Sequence, residues 1–252
     1  MNNELYRRWK NDEQAEFTGW DFSYLENRMK QASPPWDYKK LAKKLLKNSK
    51  HVLDLGTGGG EIFASLKPLP KHARATEAYP PNVKVARRRL KPLGVNVVQT
   101  SEDPKAKLPF KNEEFDLVLN RHEAYSAKEV YRILKPGGFF LTQQVDGNDC
   151  LDLLKAFKAR PKWSFWNLKF AKKDILNSGF VIKQAKNWTG SIIFKEVGAV
   201  VYYLKAIPWY VDDFSVDKCL SNLEKLQTKL DKDKKLQFAI GRFLILAWKP
   251  DV

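Results

Sequence analysis

The chain has 252 residues, 43% hydrophobic and 13% aromatic, and carries a formal net charge of +16. That apolar content suits one large domain, or a domain with a small cap, and excludes a disordered chain. No run approaches the ~18 consecutive apolar residues of a membrane span, and MNNELYRRWKNDEQ at the start lacks the apolar stretch of a secretory leader. Cys150 and Cys219 are the only cysteines, without metal-ligand or disulfide-framework spacing. The expectation is a cytoplasmic protein with neither metal nor membrane association.

In chain order, residues 1–48 are rich in aromatics and lysine and predict an N-terminal helical cap. Within it, KKLAKKLLK (39–47) places Leu41, Leu45 and Leu46 on one side of a helix and its lysines on the other, as a solvated surface helix does. Residues 51–55 read as a buried strand, followed by a glycine-rich turn and a helix from Glu61. A second strand covers 73–77, and Pro80-Pro81 opens a helix to Leu90, since proline is tolerated in a first turn. Strands follow at 95–99 and 115–120, then a helix at 127–134, a Lys135-Pro136-Gly137-Gly138 turn and a strand at 139–145. Strands alternating with helices predict a parallel sheet covered on both faces. Beyond it the pattern predicts helices at 149–159 and up to Ser178, a strand at 180–187, an insert at 189–215, a helix at 216–233 and a strand at 237–248. All eight tryptophans fall outside residues 49–146.

The most specific stretch is VLDLGTGGGE (52–61), where Asp54-x-Gly56-x-Gly58-x-Gly60 follows a strand and precedes a helix. Glycines there let the backbone turn sharply and approach a ligand. The dinucleotide pattern G-x-G-x-x-G would demand glycine at 61, where this chain has Glu61. Two acids beside the loop, Asp54 and Glu61, repel a pyrophosphate and suit a ligand bearing positive charge.

D-x-G-x-G-x-G in this setting resembles the first motif of the class I S-adenosylmethionine-dependent methyltransferases. Glu77, about twenty residues on, stands where an acid can accept hydrogen bonds from both ribose hydroxyls. Leu108-Pro109-Phe110, Phe115-Asp116-Leu117-Val118 and Leu134-Lys135-Pro136-Gly137-Gly138 are similar to further signatures of the family, closest to its type 11 group, over about residues 50–146. The flanking phrases TGWDFSYLENRM, PPWDY, NRHEAY and VGAVVYYLKAIPW resemble a bacterial subgroup that implies no acceptor. The resemblance implies a Rossmann-like α/β fold, doubly wound and mostly parallel, of seven strands with an antiparallel last one. It implies a methyltransferase domain at 49–252, its core at 49–146 and a lid or insert at about 189–235. The implied cofactor is S-adenosylmethionine, with S-adenosylhomocysteine as product and no metal. Its contacts would come from Asp54, Gly56, Thr57, Gly58, Gly60, Glu77, Ala78, Glu102, Asp103 and Asn120.

In such a sheet ligands bind outside the carboxyl ends of the strands, so Asn120-Arg121-His122-Glu123 lines the crevice. His122 is the candidate general base, its ordinary pKa being near neutrality. Asn120 can contact cofactor or acceptor, Arg121 an acceptor carboxylate or phosphate, and Glu123 can orient His122 or bind a cation. The alternative is an Arg121–Glu123 surface ion pair with His122 capping the next helix. Gln143 and Gln144 reach the same region, one of them satisfying backbone only, because alternate residues face opposite sides. Trp20, Tyr24, Trp36 and Tyr38 can cover the cofactor, and Tyr202, Tyr203, Trp209 and Tyr210 can wall an acceptor pocket; plain core packing is the competing reading. The acceptor expected is a small molecule. The net charge, with Arg87-Arg88-Arg89 as its densest arginine run, keeps RNA as an alternative, and a non-catalytic cofactor-binding module is a second one.

Overall fold

The protein is described by a computed structural model covering residues 3–17 and 20–251. It divides into two compact units: Met1–Pro34, Asp146–Trp166 and Trp188–Gly241 form one, and Pro35–Val145, Asn167–Asn187 and Arg242–Val252 the other. The residues expected as one cap, 1–48, are therefore shared between the units.

The second unit is the sheet predicted from the alternating pattern. Its strands are β2 (His51–Leu55), β3 (His72–Glu77), β4 (Asn96–Gln99), β5 (Phe115–Arg121), β6 (Leu134–Val145) and the parts of β7 (Val181–Phe194) and β8 (Leu236–Trp248) that belong to it, in the order β7-β8-β6-β5-β2-β3-β4. The pairs β3–β4, β2–β3, β2–β5 and β5–β6 are parallel, and β6–β8 is antiparallel. Val52, Leu53, Leu117, Val118 and Leu119 are wholly buried, as strands covered on both faces must be. The predicted turn at 135–138 is instead a bulge inside β6. Phe115 pairs with Leu134 and Leu117 with Phe139, so four residues of β6 loop out opposite one of β5.

Three of the described helices start where a side chain caps them. Asp37 accepts from the Lys40 N–H ahead of α2 (Tyr38–Leu46), Ser126 from the Glu129 N–H ahead of α5 (Ala127–Ile133), and Asn167 from the Phe170 N–H ahead of α7 (Leu168–Asn177). Between β2 and β3 lies the single-turn α3 (Glu61–Ala64), and α4 (Pro80–Leu90) follows β3. The chain end is fastened at Lys249, whose Nζ donates to the Leu134 and Tyr131 carbonyls at 2.7 and 3.1 Å.

The first unit has its own core. It contains α1 (Asn3–Gln14), the short strand β1 (Met29–Gln31), α6 (Leu151–Ala156), α8 (Val197–Ala206) and α9 (Leu220–Asp233). β1 pairs antiparallel with the late residues of β7, Met29 opposite Phe194, and brings the sheet to eight strands where seven were expected. Its three residues are too short and too polar to signal a strand. The expected insert at 189–215 supplies much of this core: every residue of Val197–Leu204 is buried, as an all-round apolar helix must be. Leu223, Leu226 and Leu230 on α9 are buried at helical spacing. Asp12 and Glu196 both pair with Arg28, the former at 2.8 Å.

Candidate cofactor and acceptor site

The loop after β2 is held from below by β3. The Gly56 N–H donates to Thr76 Oγ1 (3.1 Å), the Thr57 N–H to the Thr76 carbonyl (2.8 Å) and the Gly58 N–H to Glu77 Oε2 (2.6 Å). Glu77 Oε1 accepts from the Ala78 and Tyr79 N–H groups at 3.1 and 2.9 Å. Three N–H groups thus occupy a carboxylate with about four acceptor positions. Gripping both ribose hydroxyls would replace at least one of them. Burial pushes the Glu77 pKa up and these N–H groups pull it back. Asp54, at the end of β2, is buried, and that burial pushes its pKa to about 6. The Thr57 hydroxyl lies near enough to lower it, yet is buried without a hydrogen-bond partner of normal geometry. An orphaned hydroxyl, an acid at the strand end and a loop of glycines fit a polar ligand seated on this turn.

Gly56 has φ +73°, and a Cβ there would lie 2.1 Å from Glu123 Cγ, so the open space over the loop belongs to Glu123. Gly60, at φ +82°, is needed for contact with Leu90 on α4 rather than with a ligand. Glu61 pairs with Arg89, which also bonds the Gly59 carbonyl; its charge is not offered to the site as expected. Above the loop a concavity is lined by Gly56, Ala78, Glu102, Asp103 and Glu123 among others, which brings five of the predicted residues together.

The residues that end β5 and follow it differ from expectation. Asn120 is fully buried. Its Nδ2 donates to the Leu55 carbonyl (3.0 Å), and its Oδ1 accepts from Thr142 Oγ1 (2.8 Å) and Gln144 Nε2 (2.6 Å). Its oxygen is saturated by the sheet, so the predicted ligand and catalytic contact is replaced by a structural one. Gln144 also donates to the Glu123 carbonyl and is the glutamine that satisfies backbone. Gln143 accepts from the Trp36 indole N–H at 2.8 Å and faces His122 Nε2 at 3.1 Å. Trp36 is therefore a buried anchor on β6, while Tyr38 donates weakly to the Asn120 carbonyl (3.4 Å).

His122 adopts φ +63°, its N–H fixed on the Gln143 carbonyl at 2.8 Å. His122 as a residue is exposed, yet desolvation of its ring by surrounding atoms, then Arg121 and Arg242, drive its pKa well below the ordinary value. A histidine so depressed is a weaker proton acceptor than the general base expected at this position. The predicted Arg121–Glu123 ion pair does not form, and Glu123 is pushed to about 7 by burial, then by Glu77 and Glu102.

Trp20, Tyr24, Tyr203 and Trp209 belong to the other unit. There Trp20 meets Trp209 edge-on at 5.8 Å, Tyr24 stacks on Tyr202 at 4.4 Å and donates to Asp12 (2.9 Å), and Tyr203 is buried against Phe194. Tyr210 donates to Asp149.

A second concavity lies at the opposite, amino-terminal ends of the parallel strands, lined by His51, Lys71, His72, Arg74, Lys111 and Lys135 with others. Two of its cations are neutralised, Arg74 by Glu114 (2.7 Å) and Lys135 by Asp116 (2.8 Å). Of the arginine run in α4, Arg89 bonds Glu61 and Arg87 the Val97 carbonyl. Among the described residues no group of three or more His, Cys, Asp or Glu is placed to hold a metal, and no helix is long and apolar enough to cross a membrane.

A family model described as a methyltransferase domain matches residues 53–142. The probable phthiotriol/phenolphthiotriol dimycocerosates methyltransferase 2 of Mycobacterium ulcerans (strain Agy99) is 31% identical over 102 residues, 37% of this chain and 38% of that protein. The uncharacterized methyltransferase YcgJ of Bacillus subtilis (strain 168) is 30% identical over 97 residues, 36% of this chain and 38% of that one. The chain thus matches about two fifths of the length of these curated relatives. In fold it is similar to the crystal structure of a candidate methyltransferase from Bacillus halodurans C-125, with a TM-score of 0.62, 21% identity, and 85% of this chain and 99% of that one covered. Residues 53–142, which hold the glycine loop and the Glu77 clamp, thus match a methyltransferase domain in sequence, and the chain around them is similar to a methyltransferase in fold.

Proposed function

We propose that the protein transfers a methyl group from S-adenosylmethionine to a small-molecule acceptor. The observation that carries this reading is the loop of residues 54–60 clamped to Glu77, beneath a concavity rimmed by Glu102, Asp103 and Glu123. Carboxylates on a cofactor site disfavour a pyrophosphate and favour a sulfonium. When bound, the cofactor supplies an already activated methyl, whose bond to sulfur breaks as the bond to the acceptor forms. What this chain adds is alignment and exclusion of water, which together can contribute several kcal/mol. Glu77 and the Thr57 hydroxyl would hold the polar part of the cofactor. Asn120, tied into three strands, keeps the loop that carries Arg121, His122 and Glu123 in place.

Titration calorimetry tests this. S-adenosylmethionine should bind and NAD should not, and Glu77→Ala should weaken cofactor binding about tenfold or more, the loss of a charge-assisted contact. Unchanged affinity in Glu77→Ala would remove the clamp from the cofactor site. The RNA reading draws on the basic concavity at the other strand ends. It is second because Arg74 and Lys135 there already have carboxylate partners. Steep, salt-dependent binding to structured RNA would promote it.

A further inference from the structure

Two donors at the end of β5, on Arg121 and His122, have no protein acceptor among the described residues. Arg121 is only partly exposed and makes no hydrogen bond or ion pair among the described residues. Tyr38, Arg242 and Asp54 act on it only through their charge or dipole. A guanidinium with five donors and no acceptor, already partly desolvated, is a costly arrangement unless an anion completes it.

The state of His122 follows from a chain of one-way hydrogen bonds. The Trp36 indole can only donate, so the Gln143 atom it meets at 2.8 Å is the amide oxygen. The Gln143 NH2 then faces His122 Nε2 at 3.1 Å and can only donate. Nε2 must therefore be the bare nitrogen, and the ring proton sits on Nδ1. An imidazolium would set two donors face to face, and the neighbouring Arg121 and Arg242 oppose its charge as well. His122 is thus a fixed neutral donor, next to an unpartnered arginine, beside the acid that starts the glycine loop.

On the methyltransferase reading, we infer that this corner holds a carboxylate of the methyl acceptor, gripped by the Arg121 guanidinium with His122 Nδ1–H as a further donor. A planar monoanion matches the arginine fork. A phosphate dianion fits less well, because His122 brings no charge and Asp54 repels.

Ligand-observed NMR on the protein saturated with S-adenosylhomocysteine, using benzoate, benzamide and phenyl phosphate, tests the site. Benzoate should bind, with benzamide and phenyl phosphate weaker. Arg121→Gln should lose benzoate about tenfold or more, and Arg121→Lys should recover part of it. S-adenosylhomocysteine affinity should be the same in all three proteins. Equal affinity for benzoate and benzamide, tighter phenyl phosphate, no benzoate binding, or an indifferent Arg121→Gln would each overturn the site. If S-adenosylhomocysteine itself fails to bind, the cofactor reading falls, and the benzoate series on the free protein still scores Arg121. For His122, 15N spectra should show a proton on Nδ1 alone and no titration near neutrality, with the single tautomer lost in Trp36→Phe. A ring that titrates normally, or an unaltered tautomer in Trp36→Phe, would remove the second donor.

Discussion

Glu123 is the side chain on which the electrostatics of the site turn. It lies against Gly56, and its pKa of about 7 comes first from burial and then from Glu77 and Glu102; Asp54 reaches about 6 by burial, with Glu77 adding to it. Both carboxyls hold protons in the fold that the unfolded chain would release. The stability they contribute is therefore full below their ordinary values and is lost as pH rises through about 6 for Asp54 and about 7 for Glu123. Glu123→Gln should accordingly raise the melting temperature at pH 8 and leave it nearly unchanged at pH 4. The gain should be about 2 kcal/mol, below the roughly 3 that the full shift converts to, since part of the charge is screened by solvent. The same ionisation should favour a sulfonium. Affinity for S-adenosylmethionine relative to its neutral-sulfur product should climb between pH 6 and 8, and calorimetry on both ligands checks it. A ratio flat across that range would mean that Glu123 does not face the sulfur.

At the scale of elements, one amide ties three strands. Asn120 on β5 stands opposite Leu55 on β2 and Thr142 on β6, and bonds to both and to Gln144. Asn120→Ala would strand a buried carbonyl, a hydroxyl and an amide, at a cost of about 2–4 kcal/mol, read as a lowered denaturation midpoint. A variant as stable as the parent would show that these groups find other partners. The strands themselves were legible, because buried parallel strands announce themselves as short apolar runs between glycine and proline signals. The glycine loop, Glu77 and Glu102–Asp103 stand out in the sequence as local motifs at fixed offsets, and the fold puts Gly56, Glu102 and Asp103 around one concavity and Glu77 under the loop. What stayed hidden depends on distant partners. Nothing near Asn120 shows that β6 will bring Thr142 and Gln144 to its oxygen, so it read as a ligand contact. His122 read as a base because Gln143 and Trp36, which set its tautomer, lie 21 and 107 residues apart along the chain from the groups they bond. β1 was missed because a three-residue polar strand carries little periodic signal, and the late half of β7 because Gly190 interrupts the strand pattern. The buried helix α8 was placed in an insert although its all-apolar surface marks it as core.

For the molecule as a whole, neither unit is a continuous stretch of chain. The sheet unit takes its first 111 residues from 35–145 and then waits for 167–187 and for the last segment, from Arg242 onward. That last segment pairs with Phe139–Val145 of β6 and plants Lys249 on the Tyr131 and Leu134 carbonyls. A chain ending at Gly241 should therefore lose cooperative thermal unfolding of this unit, seen by circular dichroism as a broad, early transition. A sharp melt at the parent temperature would show the last segment to be dispensable. During synthesis the consequence is one of timing. β6 is made long before its antiparallel neighbour, and until residues 242–248 have emerged its hydrogen-bonding edge is open to any other nascent strand. Translation runs forward, but this sheet closes only once β8, far downstream of β6, has been made.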